Sequence, residues 1–99
     1  MALEIVWTTR AQTGFARIIE YLETHFSEKE VRQFVRQSND FFELLSQYPE
    51  MLEETNSQKH VHRGPINKYT VITYRLKRLE NQIELIKIRS SRQKSPKFK

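Results

Sequence analysis

Cationic and aromatic side chains that could hold a phosphate chain gather in the second half of this sequence. Lys59, His60, His62, Arg63 and Lys68 open a β-like stretch, Tyr69 follows, and Lys87, Arg89, Arg92, Lys94, Lys97 and Lys99 close the chain. Arginine gives bidentate hydrogen bonds to phosphate in a geometry lysine does not reproduce. Tyrosine and histidine between such cations suit base stacking and proton transfer. The same set suits cleavage of RNA through its own 2′-OH, where a protein positions the strand and stabilises phosphorane charge without a metal. Arg63, Arg89 and Tyr69 are therefore the candidate catalytic residues, and Lys59, His62, Lys68, Lys87 and Arg92 the candidate contacts to nucleic acid or another target. Taken singly, each residue has a plainer reading as part of a solvated basic sheet edge, since lysines keep edges from pairing. The cluster as a whole favours function.

Other chemistry is poorly served. His60 and His62 stand two apart on an expected strand, so they share a face, but no carboxylate lies near them and His25 sits alone at a helix end. They read as solvated strand histidines rather than metal ligands. With no cysteine there is no disulfide, thiol nucleophile or thiolate metal site, which fits a reducing cytoplasm. The only aspartate, Asp40, falls mid-helix, no serine sits at a strained elbow, and two glycines are too few for a phosphate loop. No metal and no cofactor is expected. The absence of an 18-residue apolar run and of a signal-like start predicts a cytoplasmic domain with no membrane contact.

Ninety-nine residues suit one domain, and 11% aromatic content is too rich for a disordered chain. The elements that must position the cations follow from periodicity. Glu4 to Thr8 is a short β-like run, and Thr9-Arg10-Ala11-Gln12 has the form of a capping box. Phe15, Ile18, Ile19, Leu22 and Phe26 then mark one face of a helix over 9–26, with Gly14 inside it as a sign of close packing. Ser27-Glu28-Lys29-Glu30 is a second capping box, and Val31, Phe34, Val35, Phe42 and Leu45 carry a second helix over 28–48, ended by Tyr48-Pro49. So short a connection predicts a helical hairpin. Beyond a polar loop the period falls to two, predicting strands over 58–63, 67–77 and 82–90, with a hairpin turn at Arg78-Leu79-Glu80-Asn81. The expected fold is α+β, β-α-α-β-β-β: a short N-terminal strand, an antiparallel helical hairpin and a three-stranded antiparallel meander. Phe15, Ile19, Leu22, Phe34, Leu45, Ile72 and Tyr74 should share the core. Residues 1–90 form the domain, and 91–99 a basic tail.

Charge divides at the same place as period. Met1 to Asn56 carries 10 acidic against 5 basic residues, a net of −5, and Ser57 to Lys99 carries 12 basic against 2 acidic, a net of +10. Keeping like charges together costs self-repulsion, so the basic segment points to a polyanion or an acidic protein. A plain nucleic-acid-binding module is one reading, although the helices here carry the acid and neither is a basic recognition helix.

At this level the chain resembles the RelE/ParE family of toxins from bacterial type II toxin–antitoxin systems. The resemblance rests on Val6-Trp7-Thr8 before a helix, Ile19-Glu20-Tyr21-Leu22, Phe34 with Leu44-Leu45, and Tyr48-Pro49. It continues through the Arg63 strand, Tyr69 with Val71 to Leu76, Ile83-Glu84-Leu85-Ile86, and Ser91-Arg92-Gln93 before Lys94-Ser95-Pro96, spanning Leu3 to Pro96. It implies a toxin that arrests growth and is neutralised by a small acidic antitoxin, with operator DNA bound only through that complex. RelE-like members cut messenger RNA at the ribosome with Lys, Arg and Tyr on the concave sheet, which would make this chain a metal-independent endoribonuclease. ParE-like members poison DNA gyrase without nuclease activity. Arg63 and Arg89 resemble the arginines of the nuclease subgroup, whereas the long helical hairpin is ParE-like and Ser90-Ser91 stands where other members carry an aromatic residue or histidine.

Overall fold

The first helix begins where a hydroxyl can serve two partners. Thr8 Oγ1 accepts the Ala11 N–H at 3.1 Å and so caps the helix, while the same hydroxyl donates to the carbonyls of Leu85 (2.7 Å) and Ile86 (3.1 Å). The expected capping box one residue later does not form, because Thr9 is already helical and its predecessor holds the extended N-cap conformation. The second box does form: Ser27 Oγ accepts from the Glu30 N–H, and the Glu30 carboxylate accepts from the Ser27 N–H at 3.0 Å. Phe26 caps the end of the first helix through its N–H to the Leu22 carbonyl, and Ser27 starts the second at the next residue.

The computed structural model describes residues 2–55, 58–67 and 69–91. Its order is β1 (Glu4–Trp7), α1 (Thr9–His25), α2 (Glu28–Gln47), β2 (Val61–Asn67), β3 (Thr70–Lys77) and β4 (Gln82–Ser90), which is the expected β-α-α-β-β-β succession in an α+β fold. The sheet order is β1-β4-β3-β2. β2, β3 and β4 form the antiparallel meander, and β1 adds in parallel along only the first half of β4, from Gln82 to Leu85. A 3-10 turn at Arg78–Glu80, closed by left-handed Asn81, joins β3 to β4.

The start of β2 departs from the alternation. Residues 58–60 form a turn, with His60 at φ 66°, and the strand runs through Gly64-Pro65 instead of stopping there. β2 is the outer strand, so the N–H that Pro65 lacks is not needed for the ladder. Segment 53–55 lies along the outer side of β2 farther up, giving the bonds Arg63 N–H to Glu53 O and Thr55 N–H to Val61 O.

Both helices cover one face of the sheet. The core holds Ala11, Ile18 and Leu22 from α1, Phe34, Phe41, Phe42 and Leu45 from α2, and Ile72, Tyr74, Leu76, Ile83, Leu85 and Ile88 from the sheet. Phe15 and Ile19 pack at its margin, half-buried. Phe15 lies between Trp7 (ring centroids 5.4 Å apart) and Phe34 (5.6 Å), which fastens the hairpin to β1. Gly14 meets the sheet most closely: a Cβ there would fall 1.9 Å from the Ile88 carbonyl oxygen, so α1 rests directly on the backbone of β4 where β1 has ended. The close packing expected at this glycine is present.

Candidate functional site

A bulge in β4 decides which way its cations point. Tyr74 pairs with Leu85 but Thr73 pairs with Lys87, leaving Ile86 as an extra residue. Ile83 and Leu85 are buried before the bulge and Ile88 after it. Strict alternation from Leu85 would have turned Lys87 and Arg89 into the core; the inserted residue returns them to the face away from the helices. The hydroxyl of Thr8, bound to the Leu85 and Ile86 carbonyls, holds the bulge from the side.

On that face the register sets Arg63, Thr73 and Lys87 in one row across three strands, and Val71 beside Arg89 in the next. Arg63 and Lys87 lie two strands apart, roughly 10 Å at the usual strand spacing. Farther along the face Arg75 pairs with Glu84 at 3.4 Å and is neutralised. The Lys87 ammonium is held below the ordinary lysine range, first by partial burial and then by the positive charges of Arg89, Arg10 and Arg63. Arg10 comes from the first turn of α1, where a cation faces the positive end of the helix dipole. Three arginines thus bear on one ammonium.

Between α1 and the free half of β4 lies a cleft of about 600 Å³. Arg10, Arg17, Lys87, Arg89 and Tyr69 border it, together with the apolar side chains of Ile18, Leu22 and Phe26, and among the described residues none of its lining is acidic. Tyr69 is half-buried in the turn before β3; its N–H bonds the Asn67 side-chain oxygen at 3.0 Å and its carbonyl accepts from Ser91 N–H at 2.8 Å. Arg63 stands beyond Lys87 and lines a second, shallower hollow with Glu53 and Glu54.

The structure therefore brings together Tyr69, Lys87 and Arg89, with Arg63 beside Lys87. His62 does not join them. It is 6% exposed on the helix-covered face, stacked on Tyr74 (ring centroids 5.2 Å), with Nδ1–H donating to the Leu52 carbonyl at 2.7 Å. Nor is it the solvated strand histidine expected from sequence, and His60 is in a turn, so the two share no strand face. Lys59 is exposed in that turn, before β2 begins, and does not line the cleft. Lys68 and Arg92 lie outside the described residues, as does the tail beyond Ser91. Arg10 and Arg17 were not anticipated as site residues. They stand seven apart in the acidic half, on one helical face with Gly14, and that spacing was the available signal.

Comparison with known proteins agrees with this fold. The solved structures that resemble the chain include one from the chromosomal ParDE toxin–antitoxin system of P. aeruginosa, with TM-score 0.72 and 13% identity over 90% of this chain and 96% of that one. Another is from the toxin–antitoxin complex RelBE2 of Mycobacterium tuberculosis, with TM-score 0.62 and 11% identity over 91% and 99%. A third is a copper-bound mutant toxin from Helicobacter pylori, with TM-score 0.53 and 14% identity over 92% and 97%. At such identities these likenesses speak to the fold. No curated protein matches the chain in sequence. The family model described as the ParE toxin of the type II toxin–antitoxin system, parDE, matches residues 5–95. Matched over nearly its whole length, the chain belongs to the ParE toxin family of type II toxin–antitoxin systems.

Proposed function

We propose that this toxin arrests growth by cutting messenger RNA at the ribosome, with the cationic cleft as its site and a cognate antitoxin as its neutralising partner. The observation that carries the reading is Lys87 set among Arg10, Arg63 and Arg89. Partial burial and neighbouring cations favour the neutral amine of Lys87, the form that can accept a proton. Arg63 and Arg89 flanking it can hold a scissile phosphate and stabilise the added charge of its transition state. The 2′-OH of the RNA then attacks phosphorus while the neutral Lys87 amine takes its proton, and a 2′,3′-cyclic phosphate forms. The P–O5′ bond breaks as the 5′ oxygen takes a proton back from Lys87 and leaves as a hydroxyl. An acidic antitoxin that folds on binding can use both the cations and the apolar wall of the cleft. Its binding should weaken in high salt yet persist, since the apolar contacts are not screened.

A second reading has its own support. The family model is that of ParE, the structural likeness to a ParDE chain is closer than to RelBE2, and the helices span 17 and 20 residues. Under it the chain poisons DNA gyrase without chemistry of its own. Induced expression with and without the neighbouring antitoxin gene, with mapping of RNA 5′ ends, separates the two. Cleavage predicts new 5′ ends and loss of toxicity in Arg89→Ala at unchanged melting temperature, with Arg89→Lys restoring only part. DNA breaks with intact messenger RNA would replace this reading by the gyrase one. Full toxicity in a double Arg63→Ala, Arg89→Ala variant would remove the sheet face from either.

A further inference from the structure

The wall that α1 gives the cleft changes character along its length. Arg10, Thr13, Gly14, Arg17, Ile18, Tyr21 and Leu22 recur every three or four residues and so form one stripe, about 18 Å long at 1.5 Å per residue. Arg10, at its start, stands near Lys87 and Arg89. Arg17 is midway. Beyond it come Ile18, Leu22 and Phe26, with the ring of Tyr21 at the rim, 42% exposed and stacked on His25 at 4.2 Å. Cations lead into an apolar and aromatic end within one hollow.

We propose that this α1–β4 cleft binds a nucleoside phosphate unit, its phosphate among Arg10, Arg17, Lys87 and Arg89 and its base against Ile18, Leu22, Phe26 and Tyr21. The volume of about 600 Å³ falls within the usual range of small-ligand sites. Arg10, Arg17, Lys87 and Arg89 line this one hollow with no acidic residue among its described lining, a cationic setting suited to a compact phosphate dianion. A planar base fits an apolar wall with an aromatic border whatever its identity, because every base has a π face. The local cost is consistent with a binding role: Arg10 sits in the first turn of α1, where a cation opposes the helix dipole and no acidic residue of that turn offsets it. The unit can come from a free nucleotide or from one residue of a single strand. The proposal rests on the nucleic-acid reading above but needs no cleavage, so it can stand if the chain proves not to cut RNA.

Titration calorimetry on the purified full-length toxin tests it, with adenosine 5′-monophosphate, adenosine, inorganic phosphate and a short oligoadenylate as probes. The monophosphate should bind roughly tenfold more tightly than adenosine or phosphate alone, as expected when stacking and charge each contribute. Arg17→Ala should weaken the monophosphate and leave adenosine unchanged; Tyr21→Ala should weaken both and leave phosphate unchanged. Both positions are exposed on α1, and circular dichroism confirms that each variant is folded. Displacement of the monophosphate by oligoadenylate supports a strand-bound unit, and its failure to displace supports the free nucleotide. Equal affinity for phosphate and monophosphate would reduce the cleft to a cationic surface and overturn the proposal. No nucleotide binding alongside tight binding of an acidic amphipathic peptide would also overturn it and make the cleft a peptide groove.

Discussion

Lys87 is maintained at a cost to the fold. Its charged form is disfavoured by partial burial and by three arginines, so below its lowered pKa the ammonium destabilises the native state relative to the unfolded chain. Lys87→Gln should therefore raise the melting temperature at neutral pH while removing toxicity, a combination typical of functional sites. A drop in both would make Lys87 a structural residue. Tyr74 is the opposite case. Wholly buried, it donates its hydroxyl to the Pro49 carbonyl at 2.8 Å. Burial pushes its pKa up to about 12, against a Leu52 backbone hydrogen bond that lowers it and with Glu50 raising it further. The neutral phenol is thus favoured in the folded state. That stability is fully present below pH 10 and is lost as pH rises from 10 towards about 12. Tyr74→Phe should cost about 1 kcal/mol near neutrality and flatten the alkaline limb of a stability–pH profile; an unchanged limb would assign it to other groups. At this scale the cations were legible in the sequence because charge is a property of residue type. The placement of His62 was not: a slip of one residue in pairing register moves a histidine between solvent and core.

Elements were readable wherever the period was long. β4 falls on its expected bounds of 82–90, and both helices end within one residue of expectation, since their apolar spacing and the Ser27 capping box are local signals. What alternation could not show was the bulge. Lys87 and Arg89 share a face in a regular strand too, but a regular strand would put that face on the core beside Leu85. The β1–β4 pairing was equally hidden, because a parallel neighbour is specified by tertiary packing and not by a turn. Gly14 joins the two effects by letting α1 lie against β4 where β1 stops. Gly14→Ala gains about 1 kcal/mol of helix propensity but sets a methyl into the Ile88 carbonyl, an overpacking cost of about 1–3 kcal/mol or more. The net outcome should be a melting temperature lower by several degrees and weakened nucleotide binding, read by thermal melts and calorimetry. A higher melting temperature would show that the helix stands off the strand.

Over the whole molecule, the charge asymmetry of the sequence becomes an asymmetry of faces, but not the one that halves of the chain suggest. The acidic half supplies the helices, yet α1 turns Arg10 and Arg17 towards the basic sheet, so the cleft draws its cations from both halves. Composition singled out the basic segment and could not show that the acidic segment lends two arginines to the same cleft. Among the described residues no helix is long and apolar enough to cross a membrane.

The hydroxyl of Thr8 has a dynamic consequence. Because it caps α1 and also binds the carbonyls at the β4 bulge, the helix cannot fray from its first turn without releasing the strand that aims Lys87 and Arg89. The two ends of that linkage should open as one cooperative unit. In native-state hydrogen exchange, the Ala11 amide and the amides just after the bulge should report one common opening free energy, and Thr8→Val should lower both together. Separate values would mean that the helix cap and the bulge open independently. With a shared opening event, brief unwinding of one helical turn releases the placement of Lys87 and Arg89 while the core stays folded.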